Sequence, residues 1–168
     1  MATGLRDLFP EVHDEETLRK IEQLLRQREA RRVADLVLAV RTVEAEFGLP
    51  AKEAIHQAFL RRAEAEGQRV AASAAGKGVQ DFLAVVEPGW AVTHEMTRTV
   101  DTEQRVRYEF TTCMAADEFK RLAATDIGAW FCETDAPCLR GFNPNLAFTR
   151  SRTLMDGDPG CDHEFTQP

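Results

Sequence analysis

Side chains able to attack, bind a metal or move a proton near neutral pH gather in the last third of the chain: Cys113, Cys132, Asp135, Cys138, Arg150 and the consecutive Cys161, Asp162 and His163. Side chains alternate faces along a strand, so Cys161 and His163 share one face, with Cα atoms about 6.6 Å apart, while Asp162 points away. A thiol beside an imidazole forms a thiolate–imidazolium pair or ligates one metal ion. A buried packing cysteine next to an exposed histidine is the plainer alternative.

Cys113 ends a period-two segment where a helical pattern begins. Free amide N–H groups and the dipole at a helix start stabilise a thiolate, so this is the cysteine whose context most favours a nucleophile. A small buried hydrophobe at a strand end is the competing reading. Cys132 and Cys138 straddle Asp135 in a segment, 131–140, expected to be a loop. Successive cysteines lie 19, 6 and 23 residues apart, which matches no compact zinc knuckle. A long-range set of Cys113, Cys132, Cys161 and His163 stays geometrically conceivable. Arg150 and Arg152, on one face of an expected strand, can hold a carboxylate through bidentate hydrogen bonds or line an exposed face. Gly-x-Gly-x-x-Gly, Walker, Gly-x-Ser-x-Gly and His-Glu-x-x-His patterns do not occur, which argues against dinucleotide, nucleotide, serine-hydrolase and zincin chemistry.

The elements that must position these groups follow from periodicity. Leu18, Ile21, Leu24, Leu25, Leu36, Val40 and Val43 recur at three- and four-residue intervals, predicting one long helix or two in series over 14–47, stopped by Gly48-Leu49-Pro50. Helices are expected again over 50–75 and 79–86, the latter ended by a Pro88-Gly89 turn. The period then changes to two through Val92, His94, Met96 and Arg98, and again through Val106, Tyr108 and Phe110. A helix over 114–127, a strand over 146–154, turn chemistry at Asp158-Pro159-Gly160 and a last strand over 161–165 complete the series. This order predicts one α+β domain over residues 1–168: a mainly helical part, 1–88, packed on a four-stranded antiparallel sheet in 89–168 that carries the site.

At 168 residues, a chain that is 43% hydrophobic and 29% charged can bury a sizeable core without disulfide staples. A net charge of −7 argues against nucleic-acid binding, and the basic run Arg26–Arg32, broken by Gln27, Glu29 and Ala30, reads as a solvated helix face. No leader-like or membrane-length apolar run occurs, so the expectation is a cytoplasmic protein with reduced thiols. Its expected partner is a small molecule, neither nucleic acid nor membrane, and the sequence leaves open a homo-oligomer.

The ordered series Thr112-Cys113, Trp130-Phe131-Cys132, Asp135, Gly141-Phe142-Asn143-Pro144, Phe148, Arg150, Thr153-Leu154, Gly157-Asp158 and Cys161-Asp162-His163-Glu164-Phe165 resembles the L-2-amino-thiazoline-4-carboxylic acid hydrolase family over the C-terminal third. The closing Gly-Asp-Pro-Gly-Cys-Asp-His-Glu-Phe is also similar to the end of four-vinyl-reductase-type small-molecule-binding domains. The first resemblance implies a hydrolase that opens a cyclic amidine or related C–N bond, as in converting an amino-thiazoline carboxylate to N-carbamoyl-cysteine. The second implies a non-catalytic sensor or carrier on an α+β ligand-binding scaffold. Under the hydrolase reading Cys113, or else Cys161, attacks the amidine carbon, His163 or Asp135 moves protons, and Trp130, Asn143 and Arg150 bind substrate. No cofactor is then expected. A variant uses water activated by zinc or iron on Cys132, Cys161 and His163.

Overall fold

The computed structural model describes residues 2–3 and 5–168. Asp14 caps the first long helix, its carboxylate accepting the backbone N–H groups of Glu16 and Thr17 at 3.2 and 2.9 Å, and Glu15 and Glu16 favour the positive end of the dipole. Following a two-residue strand β1 (Ala2–Thr3) and the short α1 (Leu5–Leu8), this α2 (Glu15–Phe47) runs unbroken. Gly48, at φ 78°, ends it, and α3 (Leu49–Ser73) starts with Pro50 in its first turn, where a missing N–H costs nothing.

Helix α4 (Val79–Ala91) runs through Pro88 and Gly89 instead of stopping before them. Proline there forfeits a single hydrogen bond close to the helix end, and burial of Phe82, Leu83 and Ala91 on this helix outweighs that loss. The strands β2 (His94–Asp101), β3 (Arg105–Cys113), β4 (Ala147–Thr149) and β5 (Cys161–Thr166) form an antiparallel sheet in the order β1-β2-β3-β5-β4. The expected four strands are thus present, with two-residue β1 added at one edge. The third of them is much shorter than expected: past Thr149 the chain bends, and a 3₁₀ turn (Leu154–Asp156) follows. Arg150 and Arg152 therefore lie off the strand.

The helix expected over 114–127 is two, α5 (Met114–Arg121) and α6 (Thr125–Glu133). The break is a left-handed closure at Ala123, φ 51°, with Ala124 N–H donating back to the Phe119 carbonyl. The expected loop at 131–140 is instead the end of α6 followed by α7 (Asp135–Phe142). Helix α7 lies on α3 almost backbone to backbone: a Cβ on Gly67 would fall 1.9 Å from the Cys138 carbonyl oxygen, and one on Gly141 2.0 Å from that of Glu64.

Two apolar clusters result among the described residues. One, with Phe82, Leu83, Val106, Tyr108, Phe110, Phe142 and Phe165, joins one sheet face to α4 and α7; the other, with Val33, Val40, Phe119, Ile127, Trp130 and Met155, joins α2 to α5 and α6. Leu154 packs against both clusters. Among the described residues no helix is long and apolar enough to cross a membrane.

Candidate active site

Between the sheet and the helices lies an inner chamber of about 200 Å³, lined by Cys113, Cys132, Cys161, His94, His163, Asp135 and Arg150 beside Trp90, Phe110 and Phe131. Strand period delivers part of it directly. In the β3–β5 register Phe110 opposes Cys161 and Tyr108 opposes His163, so thiol and imidazole share the inward face as their spacing predicts.

Asp162, between them, points to the other face and performs a separate task. Its carboxylate accepts Ser151 N–H at 2.9 Å, Ser151 Oγ at 2.6 Å and Arg152 N–H at 2.7 Å. Burial opposes the charge, yet these hydrogen bonds hold the carboxyl at about 2. The bend after β4 is thereby pinned and Arg150 is turned into the chamber.

Arg150 Nη1 donates to Asp135 Oδ2 at 2.9 Å and to the Cys132 carbonyl at 3.0 Å, with its guanidinium over the Phe148 ring. Among the described residues its Nε and Nη2 have no partner. Asp135 is the first residue of α7 and keeps 22% of its side-chain surface open to the cavity. Enclosure by protein raises its pKa to about 6, against the pull of Arg150 and, more weakly, His94. His163 Nε2 lies 4.0 Å from the same Oδ2. Burial, then the positive charge of Arg150, lowers this imidazole to about 3, so it is neutral at physiological pH. Its Nδ1 is buried with no partner among the described residues, and its ring packs 4.5 Å from Phe110 and 5.2 Å from Phe148.

The cysteines are brought near this centre, but not in the expected electrical state. Cys113 does cap α5, accepting Ala116 N–H at 3.4 Å, and that bond favours a thiolate. Burial outweighs it, so the thiol lies above its ordinary range. Cys161 is likewise raised by burial despite Leu154 N–H at 3.1 Å, and Cys132 reaches about 11. The sulfurs of Cys132 and Cys161 meet one hydroxyl, Thr153 Oγ1, at 3.6 and 3.7 Å. The candidate metal set Cys132, Cys161 and His163 does not assemble as ligands: no group of three His, Cys, Asp or Glu side chains among the described residues has metal-holding geometry.

Two expected substrate contacts lie elsewhere. Trp130 is buried in the α2 cluster, stacked on His56 with ring centroids 4.9 Å apart, and does not line this chamber. Asn143 ends α7, donating from Nδ2 to the Lys77 carbonyl at 2.8 Å and accepting Asn145 N–H at 3.0 Å, which braces a turn. Conversely, sequence reasoning missed Trp90, His94, Glu29 and Arg32. His94 Nδ1 lies 3.1 Å from the Trp90 carbonyl, an acceptor only, so the proton is assigned to Nδ1 and Nε2 is left as an acceptor. Arg32 is exposed, as expected for the basic run it belongs to, and its guanidinium also pairs with the buried Glu29 and covers the Phe131 ring at 4.9 Å. The i,i+3 spacing of Glu29 and Arg32 was the one available signal, and it occurs on many exposed helices.

The family model for L-2-amino-thiazoline-4-carboxylic acid hydrolase matches residues 26–165, most of the chain. No curated protein matches. Among solved structures, the crystal structure of the phenol-responsive sensory domain of the transcription activator PoxR with phenol superposes with a TM-score of 0.55 at 11% identity, over 80% of this chain and 74% of that one. That likeness establishes a shared fold.

Proposed function

The chain belongs to the L-2-amino-thiazoline-4-carboxylic acid hydrolase family, and from that premise we propose that it hydrolyses a small cyclic amidine or a ring with a related C–N bond in the inner chamber. One observation carries the reading: a half-buried carboxylate, Asp135, sits 2.9 Å from Arg150 and 4.0 Å from a neutral His163, and its enclosure raises it to about 6. Such a group is ionised at neutral pH and still basic enough to take a proton from water.

In the proposed reaction Asp135 removes a proton from a water as its oxygen bonds to the amidine carbon, and the C=N electron pair moves to nitrogen. Collapse of the tetrahedral adduct forms the carbonyl, passes the hydroxyl proton to that nitrogen and breaks the bond from the carbon to a ring sulfur or nitrogen. The leaving heteroatom receives the proton from Asp135, directly or through His163 and one water. The free Nε and Nη2 of Arg150 hold a substrate carboxylate, in keeping with the bidentate geometry of guanidinium. The cysteines, protonated at neutral pH, shape the chamber, so water replaces the thiolate of Cys113 or Cys161 as nucleophile in this reading. The route draws on side chains and water alone, and a cytoplasmic setting, which keeps the thiols reduced, belongs to the same proposal.

Incubation with amino-thiazoline carboxylates, other cyclic amidines and hydantoins, followed by mass spectrometry, tests this. The expected product is heavier by one water. A second reading, a non-catalytic small-molecule sensor or carrier, is favoured by the uncharged imidazole and thiols of the chamber, and the fold shared with a phenol-bound sensory domain is consistent with it. Ligands that raise the melting temperature without turnover would establish that reading in its place.

A further inference from the structure

Beside the inner chamber lies a second, outer one of about 320 Å³, between α3, α4, α7 and β5. The two share walls: Arg32, Trp90, Phe131 and Asp135 line both. Asp135 thus stands at a threshold. A ligand at its carboxylate faces histidines, thiols and Arg150 on one side, and on the other a space walled by Phe59, Phe82, Val86 and Phe165. The inner chamber suits one small ring. The outer chamber falls within the size range of pockets that hold larger organic ligands, and its lining sets three phenylalanines, Phe59, Phe82 and Phe165, beside the charged Arg32, Arg62 and Glu66.

We infer that the outer chamber is a specificity site for an aromatic substituent, so the preferred ligand has two parts: a polar heterocycle at Asp135 and Arg150, and an aryl group beyond the Trp90–Phe131 threshold. This deepens the proposed hydrolase and rests on that reading for the polar ring only. The thiols divide the same way. Cys138 lines only the outer chamber, and Cys113, Cys132 and Cys161 line only the inner one.

Calorimetry with hydantoin and 5-benzylhydantoin tests the inference independently of turnover. Desolvating a phenyl group predicts roughly 30- to 100-fold tighter binding of the benzyl compound. In Val86→Phe, which fills the outer chamber, that preference should fall to within about threefold. Alkylation mapped by mass spectrometry needs no variant: 5-benzylhydantoin should protect Cys138 several-fold more than hydantoin does. Equal binding of the two compounds, no binding of either, or an unprotected Cys138 overturns the inference. Preferential binding and protection without hydrolysis upholds it and sinks the hydrolase alone.

Discussion

Replacing Asp135 by Asn keeps the shape of the carboxylate and removes its basicity. If Asp135 activates water, kcat should fall roughly 10²- to 10⁴-fold, the usual contribution of a positioned general base, or about 3–5 kcal/mol of barrier. The pH profile is more diagnostic. With the carboxyl at about 6, wild-type kcat/KM should lose about tenfold per unit below that pH, and the Asn variant should lose this limb. Stability moves the other way. A carboxyl raised above 3.8 makes the folded state bind its proton more tightly, so its contribution to stability is full below about pH 4 and is lost as pH rises through 6. The change is at most about 3 kcal/mol from the two-unit shift, and urea unfolding at pH 4 and pH 7 should show it in the wild type and not in the variant. An Asn variant with both the acid limb and near-wild-type turnover would refute the assignment of Asp135 as base.

Cys113→Ser should keep kcat within about tenfold, because the thiol is protonated and serine caps α5 as well; a loss beyond about 10³-fold would restore covalent attack. Asp162→Asn should cost about 1.5–3 kcal/mol by urea unfolding, since several hydrogen bonds to a charged group are weakened. It should also lower kcat by letting Arg150 move, and an unchanged kcat would show that the bend is held without Asp162. Its depressed carboxyl stabilises the fold above about pH 3.8 and ceases to as pH falls toward 2, so acid unfolding of the variant should be less steep there. Gly67→Ala should destabilise by about 3 kcal/mol or more and slow turnover, measured by thermal unfolding and kcat, because the methyl would overlap the Cys138 carbonyl and push α7 away.

The parts of the site legible in the sequence are those fixed by a strict period. Strand alternation placed Cys161 and His163 together and Asp162 opposite, and β2, β3 and β5 carry enough apolar alternation to be read without the fold. Helix α7 was not legible: Asp135, Pro137 and Gly141 are poor helix formers, and what holds them helical is the close contact with α3 through Gly67 and Gly141. The charge state of Cys113 was misread for a related reason. Its capping bond is local and visible in sequence, whereas the burial that outweighs it is contributed by distant elements. Trp130 and Asn143 belong to the family-like series but serve the core and a turn. Trp90 and His94, from the junction of α4 and β2, line the chamber instead.

The alternation in β5 makes two jobs inseparable. Lengthening the Asp158–Gly160 turn by a single residue and shifting the strand by one place would carry Cys161 and His163 outward and swing the latch for residues 151–152 inward, so the chamber would lose its floor and its guanidinium in the same event. Point substitutions can adjust the cavity gradually, but sliding this strand permits no intermediate between an assembled pocket and none.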